Sequence, residues 1–212
     1  IYRKIALSKM NICIDLDDVI CETYTVLLKN AVEFHKYELK RGDVSMPLNI
    51  KEARGDYYWF AKILAWSEED LVYFFQKRYP FFLKECKPRK SSIEFLKRVT
   101  KSKENKLVIL SSREKRSNED VWRITYEWLN SYDIPFDLLK VGYKLKKNFL
   151  LQNKFDLFID DNIRHCVDAY EVGIKYVFNY RNLYNSIIGN EALPIGVKRI
   201  SDLMEIYSYI NI

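Results

Sequence analysis

The chain has 212 residues, 48% of them hydrophobic and 30% charged, with a formal net charge of +6. That balance belongs to an ordinary soluble protein with room for one large core and an inserted module. No repeat, low-complexity tract or membrane-spanning apolar run is visible. Lysine is enriched along the whole length, so the positive balance does not single out a nucleic-acid surface.

Residues 1–15, IYRKIALSKMNICID, carry basic side chains but no long apolar stretch and no small-residue cleavage site, so they do not read as a signal peptide. The four cysteines, Cys13, Cys21, Cys86 and Cys166, lack CxxC spacing, and two flank an acidic stretch where a disulfide would be awkward. Reduced thiols in a cytoplasm are expected. With only His35 and His165 available, a histidine-rich zinc or iron site is not expected.

Ile12, Cys13 and Ile14 read as a strand buried on both faces of a parallel sheet. Three carboxylates follow at once: Asp15, Asp17 and Asp18. Clustered like charges repel and resist desolvation unless a cation sits among them, so the cluster points to a metal site or a catalytic pair. Hard oxygen donors favour magnesium. At an extended strand end Asp15 and Asp17 face one pocket, Leu16 points inward and Asp18 faces elsewhere. The competing reading is a carboxylate-rich turn with Asp18 as N-cap of the next helix. The stretch ICIDLDDVI resembles motif I of the haloacid dehalogenase (HAD) superfamily, an apolar strand running into Asp-x-Asp. The resemblance implies that Asp15 is a nucleophile and Asp17 a general acid and base.

Residues 23–34 have helical spacing in Val26, Leu27, Ala31 and Phe34, and Gly42 and Pro47 break it within 41–50. A second helical zone covers about 53–79, with Ser67 as an N-cap before Glu68, Glu69 and Asp70, and is expected to end near Pro80. This region lacks the apolar strands of the flanking chain and is rich in aromatic residues. Residues 23–83 therefore read as a mainly helical insertion over the carboxyl end of the sheet, where many HAD relatives carry a cap. The core would be 1–22 and 84–212. Adjacent residues of Tyr57-Tyr58-Trp59-Phe60 point about 100° apart in a helix, so one ring must leave the insertion's own core. Trp59 is the candidate for stacking on a nucleobase, against the alternative that all four rings pack internally.

Beyond Lys87 a helix carries Ile93, Phe95, Leu96 and Val99, and the apolar run Leu107 to Leu110 reads as another buried strand. It ends in Ser111, Ser112 and Arg113, at the edge where open α/β sheets bind ligands. Short hydroxyls can hold a phosphoryl oxygen and a guanidinium can add a bidentate contact, although hydroxyl residues also follow strands as helix caps. LVILSSR resembles HAD motif II, with Ser111 at the motif position. A helix over 118–130 and a short strand in FDLLKV come next. Lys144, Lys146 and Lys147 follow Gly142, usually a solvated pattern, but the family places its motif III lysine here. Lys146 lies 14 residues before Asp160 (160 − 146), which suits the family's interval, with Lys144 and Lys147 as alternatives.

Leu157 to Asp161, LFIDD, is a second apolar strand ending in paired carboxylates. Two such strands side by side would build one oxygen-rich cage for a divalent cation. The stretch resembles motif IV in its DD form. A helix over 164–172 stopped by Gly173, a strand in KYVF, the loop NYRNLYN and a last helix from Ser201 complete the pattern.

Four motifs in order imply an α/β fold, a Rossmann-like parallel sheet flanked by helices, with a small helical cap inserted after the first catalytic strand. They look most like the subgroup related to 5'(3')-deoxyribonucleotidases, although Asp18 stands where many members carry Gly. The implied activity is a magnesium-dependent phosphomonoesterase working through an aspartyl-phosphate. Asp15, the backbone carbonyl of Asp17, Asp160 and Asp161 would be at the metal, Ser111, Ser112 and Lys146 on the phosphate, and Arg113 and Trp59 on the substrate. The implied partner is a small phosphorylated molecule such as a nucleotide, with neither membrane nor nucleic acid. A phosphatase of nucleic-acid termini and a non-catalytic metal-binding protein of the same fold are the rival readings.

Overall fold

The computed structural model describes residues 9–44, 53, 55–114, 116 and 120–209. Six parallel strands form one sheet in the order β3-β2-β1-β4-β5-β6, with β1 at Asn11–Ile14, β2 at Lys106–Ser111, β3 at Leu138–Val141, β4 at Leu157–Asp160, β5 at Tyr176–Tyr180 and β6 at Val197–Ile200. β1 pairs Ile12 with Leu107 of β2 on one side and with Leu157 of β4 on the other. Its alternation fills both faces. Ile12 and Ile14 join a cluster with Phe95, Leu96, Trp128 and Leu129, whereas Cys13 points the other way into a cluster with Phe149, Leu150, Cys166 and Ala169. The first cluster is covered by α4 (Lys90–Val99) and α5 (Val121–Ser131), the second by α6 (Lys147–Gln152) and α7 (Ile163–Glu171).

Between β1 and α4 the chain forms α1 (Thr23–Tyr37), α2 (Trp59–Ile63) and α3 (Glu68–Glu85), which bury a third cluster around Phe34, Phe60, Phe74 and Phe82. Ser67 caps α3 with a complete capping box to Asp70, as its sequence predicts. Three expectations change. The zone over 53–79 is two helices, and α3 runs through Pro80 to Glu85. Proline inside a helix costs about 3 kcal/mol. Phe82 and Leu83, within the next turn, are each 1% exposed and regain roughly 1.5–3 kcal/mol apiece by burial, which offsets it. The last helix is a 3-10 turn, Leu203–Ser208, with Asp202 as its cap. β6 is a strand that its sequence, VKRI, does not announce. The break expected at Pro47 and the start of the helix expected over 118–130 lie outside the described residues; α5 begins at Val121.

Candidate active site

The strand order places a topological switch between β1 and β4: from β1 the chain moves outward to β2 and β3, then restarts at β4 and moves the other way. Connections leaving the two strands diverge and open a crevice at their carboxyl ends. Asp15 follows β1 directly, and Asp160 ends β4 with Asp161 next. The Asp15 N–H donates to the Ile159 carbonyl at 2.9 Å, tying the two strand ends together.

Carboxylate oxygens of Asp15, Asp160 and Asp161 lie within 4.8 Å of one another, and all three residues are buried. Among them sits Lys146, fully enclosed at the start of α6, its Nζ donating to Asp15 Oδ1 and Asp160 Oδ2 at 2.7 Å each. Lys147 turns away to Glu171 and Asp168 on α7, and the Lys144 carbonyl receives His165 Nε2 at 3.3 Å. Burial raises the Asp15 carboxyl to about 7, Lys146 opposing the rise and Asp160 adding to it. Burial would raise Asp160 as well, but Lys146 and His165, whose Nδ1 is 3.2 Å from Asp160 Oδ2, outweigh it and hold the group below its usual range. Asp161 is pushed well up by burial and by Asp160 and Asp15. Its Oδ2 accepts from Asn182 Nδ2 at 2.6 Å and Tyr184 Oη at 2.5 Å. Three converging hard-oxygen ligands fit a divalent cation such as magnesium.

Asp17 stands beside this cluster and holds a different set of donors. Arg113 donates to it from Nε (2.9 Å to Oδ2) and Nη2 (2.7 Å to Oδ1), Thr23 Oγ1 from 2.5 Å, and Ser111 Oγ reaches Oδ2 at 3.5 Å. Burial pulls the Asp17 carboxyl up, but the guanidinium and the Thr23 hydroxyl prevail and lower it. Asp18 adopts a left-handed backbone, φ 59°, and both its oxygens accept from the Tyr24 N–H at the start of α1. It therefore caps the helix from six residues upstream, while Glu22 occupies the N-cap position. Asp18 also lines the same cavity as Asp15 and Asp17 instead of facing elsewhere.

That cavity has a volume of about 430 Å³. The carboxylates form part of its lining, its floor, and Tyr57, Tyr58, Phe75 and Tyr79 supply an aromatic wall. Ser112 is in the lining and donates to the Tyr143 carbonyl at 3.1 Å, whereas Ser111 is fully buried and accepts the Arg113 N–H at 3.1 Å. Trp59 is not brought to the cavity: its half-buried ring packs on the third cluster under the Lys62 ammonium. Thr23, His165, Asn182 and Tyr184 are the site residues that sequence reasoning passed over. Only the polar loop after β5 hinted at the last two.

Strand order, crevice and carboxylate floor define a protein of the haloacid dehalogenase-like fold. The chain is 24% identical over 206 residues, 97% of its length and 95% of the relative's, to a protein of Clostridium acetobutylicum named a nucleotidase. A haloacid dehalogenase-like hydrolase from Streptococcus pneumoniae superposes with a TM-score of 0.63 at 13% identity, over 94% of this chain and 97% of that one. The HAD-type protein YfnB from Bacillus subtilis, in a magnesium-bound structure, gives 0.61 at 14% identity over 96% and 99%. No protein-family model matches the chain. Among the described residues no helix is long and apolar enough to cross a membrane.

Proposed function

We propose that the protein is a magnesium-dependent phosphomonoesterase working through an aspartyl-phosphate on Asp15, with small phosphorylated metabolites such as (deoxy)nucleoside monophosphates as substrates. The observation that carries this reading is the Asp15–Lys146–Asp160 arrangement at the β1/β4 switch point, with Asp161 beside it and Asp17 two residues from the nucleophile. The nucleotidase name of the clostridial relative and the aromatic wall of the cavity support the choice of substrate. Residues 23–83 are read as the cap that carries that wall. The four free, buried cysteines suit a cytoplasmic setting.

Asp15, the Asp17 carbonyl, Asp160 and Asp161 would hold magnesium, which when bound supplies positive charge to neutralise the phosphoryl oxygens. Asp15 attacks phosphorus in line and forms the acyl phosphate, so one difficult displacement becomes two easier ones. The Arg113 pair keeps Asp17 ionised at neutral pH. A phosphomonoester whose second pKa is about 6 arrives partly protonated, and Asp17 relays that proton to the leaving oxygen. Free again, Asp17 takes a proton from the water that hydrolyses the intermediate. Lys146 and Ser112 attend the phosphoryl oxygens, and Lys146 compensates the charge on Asp15 and Asp160.

The test is phosphate release from a deoxynucleoside monophosphate with magnesium and with EDTA, for the wild type and Asp15→Asn. Release that EDTA stops and Asp15→Asn lacks is expected, together with an acid-stable labelled phosphoenzyme in the wild type alone. Near wild-type turnover in Asp15→Asn removes the claim.

A further inference from the structure

Arg113 lines the cavity wall, yet its side chain is 1% exposed. Each of its three nitrogens already has a partner inside the protein. Nε and Nη2 lie along the Asp17 carboxylate at 2.7–3.1 Å. Nη1 donates to Thr125 Oγ1 at 3.1 Å, and the Thr125 hydroxyl in turn donates to the Val121 carbonyl of α5 at 2.7 Å. The rear of Nη2 rests on the sulfurs of Cys21 and Cys86, each 3.8 Å away. Asp17, in front of it, keeps 21% of its side chain exposed.

A guanidinium arranged this way has neither of its two-donor edges free for a substrate oxygen. A side-on pair with two parallel N–H···O bonds fixes the plane of a carboxylate as well as its position, which a lysine ammonium cannot do. General acid–base transfer depends on that aim, since the carboxylate must sit within hydrogen-bond reach of the leaving oxygen. We propose that Arg113, anchored by Thr125 on α5, is a positioning residue that aims Asp17 at the leaving group and does not bind the substrate. This inference rests on the phosphomonoesterase reading above. It links α5, none of whose residues lines the cavity, to the proton-transfer step.

The experiment compares two substrates that differ in their need for a proton. An alkyl phosphomonoester such as a deoxynucleoside 5'-monophosphate expels an alkoxide that must be protonated; 2,4-dinitrophenyl phosphate expels a stable phenolate. In Arg113→Met, kcat on the alkyl ester should fall at least about tenfold further than kcat on the dinitrophenyl ester, with KM little changed, because general acid catalysis typically contributes 10²–10⁴-fold. Thr125→Val keeps the side-chain volume and leaves Asp17 paired, so it guards against misfolding of the first variant. It should shift the same kcat ratio in the same direction by less. A rise in KM for both esters at an unchanged kcat ratio would make Arg113 a substrate ligand and overturn the proposal. Equal losses of kcat on both esters in both variants would reduce the pair to architecture and overturn it too. A wild type that hydrolyses neither ester instead removes the phosphomonoesterase reading, and the inference with it.

Discussion

Magnesium affinity should depend on pH in the neutral range, where ordinary carboxylate sites are flat. The metal binds ionised carboxylate, and burial raises Asp15 to about 7 in the metal-free protein. With that value the ionised fraction is about 0.9 at pH 8 and about 0.1 at pH 6, so the apparent Kd should weaken about tenfold as pH falls through 7, or roughly 1.4 kcal/mol. Asp161, also raised, acts in the same direction, while Asp160, held low by Lys146 and His165, stays ionised and contributes nothing. A carboxylate at its ordinary value of 3.8 would change by only about one per cent over the same interval. Calorimetric titration of magnesium at pH 6, 7 and 8 measures the effect. Repeating it at pH 7 in two buffers of different ionisation enthalpy should show proton release on binding. A constant Kd with no released proton would mean that Asp15 is ionised before the metal arrives, and the argument from burial would fail.

Asp160→Ala should weaken magnesium binding by at least about tenfold, the lower end for loss of a metal's supporting groups, whereas Asp168→Ala should not. Asp168 lies on α7, where its ion pair among the described residues is with Lys147 at 3.7 Å, and equal affinities for the two variants would move the site elsewhere. Tyr58→Ala should lower kcat/KM for a deoxynucleoside monophosphate relative to a small aliphatic phosphoester, by about 5- to 150-fold if one base stacks at roughly 1–3 kcal/mol. Trp59→Ala should leave that ratio alone, because its ring packs away from the cavity; a selective loss of the nucleotide in that variant would reverse the assignment. Lys146→Met should lower turnover and leave Asp15 more reluctant to ionise, so the pH at which half-maximal metal binding occurs should rise. A fall would show that Lys146 does not hold that carboxylate in its charged form.

The parts of this fold legible in the sequence share one physical cause. A charged group at the end of a fully apolar strand has to be desolvated, and a sequence cannot disguise that cost. Hence ICID and LFID announce their own strands and the carboxylate cluster that the two strand ends share, while of the three lysines the sequence offers at 144, 146 and 147 only the fold brings Lys146 between Asp15 and Asp160. Elements were missed where the cause is tertiary. VKRI alternates Lys198 and Arg199 with nothing to mark a strand, yet it becomes β6 because its Val197 and Ile200 find buried places beside β5. Pro80 reads as a stop, and is overruled by apolar side chains within the next turn.

The site divides in the same way. Which ring of residues 57–60 meets the cavity depends on where α2 begins. Tyr57 and Tyr58 precede the helix and reach the lining, while Trp59 opens it and packs on the third cluster, so the 100° step expected between neighbours does not apply to the first two. Arg113 is visible as a cation near a phosphate-sized space. That it faces Asp17 shows only in the fold, where Thr125 on α5, twelve residues away, accepts from Nη1 and Cys21 and Cys86 back Nη2. Asp161 shows the most general case. A second carboxylate in a buried acidic cluster is stable only if something donates to it, so its presence in LFIDD already implies donors elsewhere in the chain. They are Asn182 and Tyr184, 21 and 23 residues downstream, in a polar loop that the parallel crossover from β4 to β5 returns to the same end of the sheet. For a parallel sheet, the search for such donors can be confined to the loops leaving the neighbouring strands, since only their carboxyl ends come back to that edge.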